Sequence, residues 1–463
     1  MPKHKRAAII GAGISGLCTA YWLQKNGFEV QVFEKTGHAG GVIISEKIDG
    51  FLVDMGPNST LETSEVLKNL VEELGLADQK VYANEASNKR YIVKNGELMA
   101  IPMSLLSFLK TDLFSWRAKL RLLQEPFLKP TLGDDIALAD FVHHRLGREF
   151  LDYAINPFVA GVYAGDPRSL STAAGFPKLY ALEKNYGSLI RGAVLGARER
   201  KKRKEVAKDR ARMFSFRDGM ETFTDALKAK IGSIEYHTTV SSLKQSGGGF
   251  ELEVEREGKK EALEFDIAVC CAPTHALAPL LADIAPEHTA PLAEVSYPPV
   301  AVVFTAFRET DIQRELDGFG FLIPEVEKRQ ILGSIWSSVI FPGRAPEGHV
   351  AFTSFVGGTR QPDNALLPED QLKALVLSEL KSLVGIAGEP VLTKIKKWEK
   401  AIPQYKVGYK KIQAVFDKLE AQCPGLYFAG NYRRGISVGD SVLSAFEVVE
   451  QVLRLNKFFP GEL

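Results

Sequence analysis

Residues 7–41 read AAIIGAGISGLCTAYWLQKNGFEVQVFEKTGHAGG. Ala7 to Ile10 is a short apolar run with the make-up of a buried strand. Gly11, Gly13 and Gly16 follow in the spacing GxGxxG and open a helix expected to be amphipathic. The spacing has a physical reading: Gly11 for a tight turn, Gly13 for backbone approach to a pyrophosphate, Gly16 for close packing of helix on strand. The first helical residues, Ile14 and Ser15, then offer free N–H groups to an anion at the positive end of the helix dipole. A second strand, Glu29 to Phe33, ends in Glu34, followed by Lys35. Glu34 stands where an acid would hold an adenosine ribose. The strand before, the helix after and the acid at this distance together specify a dinucleotide site.

Bulk composition narrows the class. At 463 residues, with 45% hydrophobic and 25% charged residues, the chain has the length of two or three domains and can bury a large core. A net charge of +1 gives no reason to expect nucleic acid as a partner. Cys18, Cys270, Cys271 and Cys423 show no metal-ligand spacing, so no metal is expected and all four read as reduced, buried thiols. The N-terminal MPKHKR runs straight into the first strand, so no secretory or transit segment is expected. No apolar run approaches the ~20 residues of a membrane span.

The rest of the chain divides into interleaved pieces. A dinucleotide domain is expected from residues 1–75, 206–275 and 421–463, a substrate domain from 76–90 and 276–420, and a helical insert from 91–205. VAVVFTAF, GFGFLIP, ILGSIWSSVIF and HVAFTSFVGG, between residues 300 and 358, alternate like strands of an antiparallel sheet. The fold class is therefore α/β plus α+β: a split Rossmann-like domain, an α+β substrate domain and a helical insert. The basic run Arg198 to Arg212 reads as a solvated connector or, more sharply, as a contact for anionic lipid.

Longer motifs carry a resemblance. Gly40-Gly41, which alone could be a plain turn, and Gly56-Pro57-Asn58-Ser59 within DMGPNS resemble the FAD-containing amine-oxidase-like flavoproteins. NPFVAGVYAGDPRSLS (156–171), KRYIVKNGELMAIP (89–102), WEKAIPQY (398–405) and YFAGNYRRGISVGDSV (427–442) resemble the protoporphyrinogen oxidases among them, in collinear order from residue 7 to about 450. Residues 89–130 resemble the plant mitochondrial and related bacterial form more than the Gram-positive coproporphyrinogen-oxidising form. One departure is GGVI, where many relatives carry a basic residue past the glycines.

The resemblance implies noncovalent FAD, with Val240 at the adenine, Trp398 beside the cofactor, and Gly430, Ile436, Ser437 and Val438 along its pyrimidine edge. There the start of the C-terminal helix would favour negative charge on the reduced cofactor. It implies six-electron oxidation of protoporphyrinogen IX to protoporphyrin IX, with oxygen or a quinone as acceptor, in the penultimate step of haem synthesis. Leu322 and Ile335 would sandwich one pyrrole and Phe355 stack on another. The Gly161 carbonyl would face the macrocycle, and Arg90 would pair with a propionate. No protein acid or base is demanded, and no catalytic residue is assigned. The alternatives are coproporphyrinogen III oxidation, another amine-oxidase-like flavoenzyme, or a non-catalytic porphyrin carrier.

Residues 99–128 interleave Leu, Phe and Trp with Lys and Arg, which reads as an interfacial helix pair lying on a membrane surface or as a pair packed on the protein's own core. A peripheral location on the cytoplasmic face of a bacterial membrane, or in the cytoplasm, is expected, with a homodimer and the terminal haem-synthesis enzyme as partners.

Overall fold

The computed structural model describes residues 5–131, 133–203 and 211–458. A five-stranded parallel sheet runs in the order Ile234–Glu235, Glu29–Phe33, Arg6–Ile10, Ile267–Cys270, Leu426–Phe428. Parallel strands are covered on both faces, and these read accordingly: Ala7 to Ile9 and Ala268 to Cys270 are fully buried. One face carries helix Ile14–Lys25, and helix Val438–Phe458 packs over it through Val442, Ala445 and Val449. Helix Ile14–Lys25 is thus covered on both sides, with Ser15 to Ala20 all buried, and is not the amphipathic helix its position suggested. The other face is covered by the hairpin sheet Thr238–Ser246, Gly249–Arg256, Lys259–Phe265 through Leu243, Phe250, Leu252 and Phe265.

A seven-stranded sheet forms the second layer, in the order Leu392–Trp398, Val300–Arg308, His349–Gly357, Gly333–Ile335, Gly318–Leu322, Lys89–Lys94, Glu97–Ala100. All neighbours are antiparallel except Gly318–Leu322 with Lys89–Lys94. Its back face, with Val303, Phe307, Phe321 and Phe352, is sealed by helix Glu369–Val384. Part of its front face, Phe304 and Ala306, packs against Phe51, Val53 and Met55 of the dinucleotide domain.

Three domain boundaries shift. Strand Lys89–Lys94 runs unbroken across 90/91, because its backbone pairs with Gly318–Leu322, and Glu97–Ala100 follows it into the sheet. The helical insert therefore starts at Leu105. The boundaries at 275/276 and 420/421 fall inside helices Thr274–Leu280 and Tyr409–Gln422, whose Leu277, Leu280, Phe416 and Leu419 pack on the parallel sheet. ILGSIWSSVIF is a strand only over Gly333–Ile335. It then turns into helix Ser337–Ile340, held by Ser337 Oγ on Thr353 Oγ1 at 2.8 Å.

The insert has its own polar lock. Arg145, 0% exposed, meets Glu125 at 3.3 Å and Glu183 at 2.5 Å. The Glu125 carboxylate also accepts from Ser188 Oγ and from the amides of Leu189 and Ile190, fixing the start of helix Leu189–Arg203. Residues 204–210 of the basic run lie outside the described residues. Arg212, at its end, lays its guanidinium on the Tyr82 ring at 3.5 Å.

Candidate active site

The glycine-rich turn is built as its spacing requires. Gly11 has φ +103°, and its N–H donates to Phe33 O at 2.9 Å. A Cβ on Gly16 would lie 1.9 Å from Gly11 O, so helix and turn touch backbone to backbone. Gly13 borders open space on its Cβ side. It caps helix Ile14–Lys25, whose first turn has neither a capping side chain nor an acid. An uncapped helix N-terminus opening onto free space fits a diphosphate.

Glu34 ends the second strand beside this turn. Its Oε2 accepts from the Ala12 amide at 3.0 Å, and Oε1 from Thr36 N and Oγ1 at 2.9 and 2.8 Å. The Thr238 amide donates to Glu34 O, which brings the strand carrying half-buried Val240 next to the ribose position. Lys35 is exposed. Gly40 and Gly41 join the same cradle: Gly40 N–H donates to Ala12 O, and a Cβ on Gly41 would sit 3.2 Å from Gly13 Cα. At Gly56 a Cβ would strike Val42 O at 1.8 Å. The half-exposed Pro57, Asn58 and Ser59 follow, with Ser59 Oγ on Asn58 Oδ1. Trp398 joins this loop from the second sheet, its Nε1 donating to Met55 O at 2.8 Å. Residues of three chain segments thus line one channel shaped for an FAD.

The C-terminal segment closes the channel. Gly430 N–H donates to Ser444 Oγ, and Ser15 Oγ donates to Ser441 O at 3.0 Å, so the two helix starts converge. Ile436 packs among Tyr405, Tyr409 and Val295, and Val438 is buried. The second helix start is less positive than its sequence suggested. Ser437 Oγ and the Asp440 amide and carboxylate bond one another, so a cap and an acid already occupy the first turn. Cys271 lies against Gly16, and burial holds its thiol up at about 12, against the Thr19 hydroxyl, so it stays neutral. His275 stacks edge-on against Tyr297. Burial, then Lys400 and Lys35, lower its pKa, which keeps it neutral at pH 7.

The residues expected on the substrate side come together by sheet register. Leu322 pairs with Gly333, Gly333 with Phe355, and Gly320 with Ile335. Side chains directly opposite in a sheet share a face, as do residues two apart in a strand. Leu322, Ile335 and Phe355 therefore stand on one face, and each is half-exposed in a largely buried strand. Gly333 lies between Leu322 and Phe355, and the Leu322 side chain folds against it, 3.0 Å from where a Cβ would stand. On the next strand Arg90 pairs with Gly320 and Ile92 with Leu322, so Arg90 stands at the outer end of the same face.

Gly161 lies within helix Asn156–Tyr163 and does not break it; the helix ends at Ala164, φ +48°. A Cβ at Gly161 would sit 2.4 Å from Leu322 Cδ2. The helix thus packs directly on the apolar face through Leu322, with Ala160 and Ala164 beside Phe355, and walls one side of the slot. Arg90 is exposed, its guanidinium 5.3 Å from the Phe319 ring centroid, with no ion pair among the described residues. Its neighbour Lys89 is tied to Asp317.

Sequence reading missed Gly333 and Phe319, whose signal was only alternation in GFGFL and LGSI. It also missed Asn156, which lies in a quoted motif but whose function depends on partners about 170 and 200 residues away.

A dinucleotide channel closed by a C-terminal helix, facing a sheet-floored apolar slot, defines a two-domain flavin-dependent oxidoreductase. Residues 14–453 match the model of the family described as flavin containing amine oxidoreductase. The mitochondrial protoporphyrinogen oxidase of Nicotiana tabacum is 35% identical over 97% of this chain and 95% of its own. The coproporphyrinogen III oxidase of Bacillus subtilis (strain 168) is 30% identical over 95% of this chain and 96% of its own. A crystal structure from Exiguobacterium sp. 255-15, assigned as a protoporphyrinogen oxidase, superposes with TM-score 0.81 at 26% identity, covering 97% and 99% of the two chains. The chain belongs to the flavin containing amine oxidoreductase family and, within it, to the protoporphyrinogen oxidases.

Proposed function

We propose that this protein oxidises protoporphyrinogen IX to protoporphyrin IX. The observation that carries the reading is one apolar sheet face, Leu322, Gly333, Ile335 and Phe355, with the Arg90 guanidinium, unpaired among the described residues, at its outer end. Bound FAD would take two electrons in each of three turnovers. The six electrons and six protons lost by the tetrapyrrole would pass on to oxygen or a quinone. The chain's own part is to bind and exclude water. The slot holds the ring by dispersion and Arg90 fixes a propionate, while the buried Cys271 thiol stays protonated and supplies no nucleophile.

Coproporphyrinogen III, the substrate named for the Bacillus relative, is the second reading. It has four carboxylates where protoporphyrinogen has two. Near the slot Lys89 is neutralised by Asp317, and Arg168 by Asp166 at 2.9 Å and Glu325 at 2.8 Å. Of these three cations only Arg90 is left for a carboxylate, which suits the less acidic substrate. Parallel assays with both porphyrinogens, read by porphyrin fluorescence, decide between them. A carrier reading fails if protoporphyrinogen bleaches the flavin without oxygen.

Peripheral membrane binding is part of this reading. Leu105, Leu106, Trp116, Leu120, Leu123 and Phe127, all between 58% and 81% exposed, lie on the insert with Lys110 and Arg117. Such an apolar surface rimmed by cations suits a lipid interface. Phe108 and Phe114 do not belong to it. Phe114 is buried and stacks on Phe150 at 4.2 Å, with Phe108 beside both. Lys119 is also turned inward, capping helix Leu105–Lys110 through Leu109 O and Thr111 O. No helix among the described residues is long and apolar enough to cross a membrane. Flotation of the wild type, but not of a Leu105/Trp116/Leu123/Phe127 serine variant, is the expected result. A homodimer and a hand-over partner in haem synthesis belong to the same proposal, with light scattering and pull-down as their tests.

A further inference from the structure

We infer that Asn156 is a positioning residue that sets how helix Asn156–Tyr163 seats beside the slot, acting together with Arg360 and Glu325. This deepens the porphyrinogen reading and rests on it.

The side wall of the slot is helix Asn156–Tyr163, the element carrying Gly161. Its eight residues span about 12 Å at 1.5 Å per residue. A bar that short has no rigidity of its own orientation; its ends must be fixed. Asn156, 8% exposed, fixes the first end. Its Oδ1 accepts from the Glu325 amide at 2.9 Å and from Arg360 Nη2 at 2.8 Å, and its Nδ2 donates to Glu325 Oε2 at 3.3 Å. Arg360 Nη1 donates to Ile323 O at 2.7 Å. Both partners thus hold the chain that leaves Leu322, so one carboxamide joins wall to floor. Glu325 is in turn held by Arg168, and Arg168 by Asp166 on the wall's own following loop.

The second end is fixed at the opposite side of the slot. Ala164 O accepts from the Thr359 amide at 2.8 Å, just beyond Phe355. A Cβ on Gly358 would strike that oxygen at 2.6 Å, so the approach is as close as backbone allows. The wall therefore bridges the strand end after Leu322 and the strand end after Phe355. Asn156 follows directly on a π-helical turn, Leu151–Ile155, an irregularity that re-phases a helix.

The seating of this helix matters for a flat substrate because dispersion falls steeply with separation, and a gap of under an ångström forfeits a quarter to a half of each contact. Asparagine is the residue this joint needs. It presents an acceptor to an amide and a guanidinium, and a donor to a carboxylate, in one planar group. Aspartate has the same shape but no donor, and would set its charge against Glu325.

The test uses flavin-loaded full-length protein. Asn156→Asp should keep flavin content and visible spectrum, while kcat/KM for protoporphyrinogen falls roughly tenfold or more, as expected when a buried charge-assisted bond is replaced by repulsion. Adding Glu325→Gln should recover most of the loss, because the carboxamide introduced at 325 can donate to the carboxylate introduced at 156. Glu325→Gln alone should stay near wild type, since its carboxamide oxygen can still accept from Asn156 Nδ2, and a loss as large as that of Asn156→Asp would count against the inference. Wild-type kcat/KM in Asn156→Asp overturns the inference. So does a loss that Glu325→Gln does not relieve, or one that merely tracks a loss of flavin or of thermal stability. A wild type inactive on both porphyrinogens would instead overturn the substrate reading.

Discussion

The cofactor channel and the substrate slot are built on opposite plans. In the channel, fit is made by backbone. A Cβ at Gly16 or Gly56 would come within 2 Å of a carbonyl oxygen, and nothing there can yield. In the slot, fit is made by side chains brought level by strand register. The corresponding collision, Gly161 against Leu322 Cδ2 at 2.4 Å, is with the end of a flexible side chain. The channel should therefore fail outright under small changes, and the slot should fail by degrees.

The sharpest way to break this contrast is Gly16→Ala. One methyl group forces helix from strand, so flavin should be lost from the purified protein and expression should fall. A yellow, active Gly16→Ala enzyme would show that the channel is as forgiving as the slot.

Arg90→Ala comes next. It should leave flavin content unchanged and remove a charge-assisted bond worth about 1.5–3 kcal/mol. At about 1.4 kcal/mol per decade this is a 10- to 100-fold fall in kcat/KM. Arg90→Lys should recover part of it, because it keeps the charge without the fork. Unchanged kinetics in Arg90→Ala would leave the propionate without its assigned partner.

Gly161→Ala should be milder. Leu322 can rotate away from the new methyl, but into the slot, so we expect a loss of about tenfold or less in kcat/KM at full flavin content, within the 1–3 kcal/mol that overpacking costs. Pairing it with Leu322→Ala should relieve the crowding; no relief would mean that the carbonyl, not the space, matters at Gly161.

The smallest effect concerns the insert that braces the outer end of the slot. Burial raises the Glu149 pKa, but the Ser115 hydroxyl and amide and then Lys94 outweigh it and hold the group below its usual 4.5. A depressed carboxyl stabilises above its unfolded pKa and loses that contribution as pH falls through the folded value. Helix Trp116–Gln124 should therefore loosen only below about pH 4.5, seen as faster amide exchange there. Glu149→Gln should show the faster exchange already at pH 7.

The difference in plan also explains what could be read from the chain. The channel was legible because its determinants are short-range: a turn, a helix start and an acid within 24 residues, Gly11 to Glu34, each required by backbone geometry. The slot was legible only through resemblance. Nothing in GSIWSS or TSFVGG marks Ile335 and Phe355 as neighbours; pairing of Gly333 with Leu322 and Phe355 does. Amphipathic patterning marked residues 99–128 as an interfacial or core-packed helix pair but could not separate Phe114, stacked inward, from Trp116, turned outward, because the two are so close in sequence. That choice was made by Phe150, a tertiary partner.

By itself the sequence determined the dinucleotide turn and FAD as the cofactor, because glycine spacing and strand–helix order act over a short stretch of chain, and its longer motifs carried the family resemblance. Only the tertiary structure decided which apolar residues face the slot, that Lys89 is paired while Arg90 is left to the slot, and that Asn156 joins wall to floor. Each of those depends on strand register or on a partner more than 160 residues away, which no local pattern encodes.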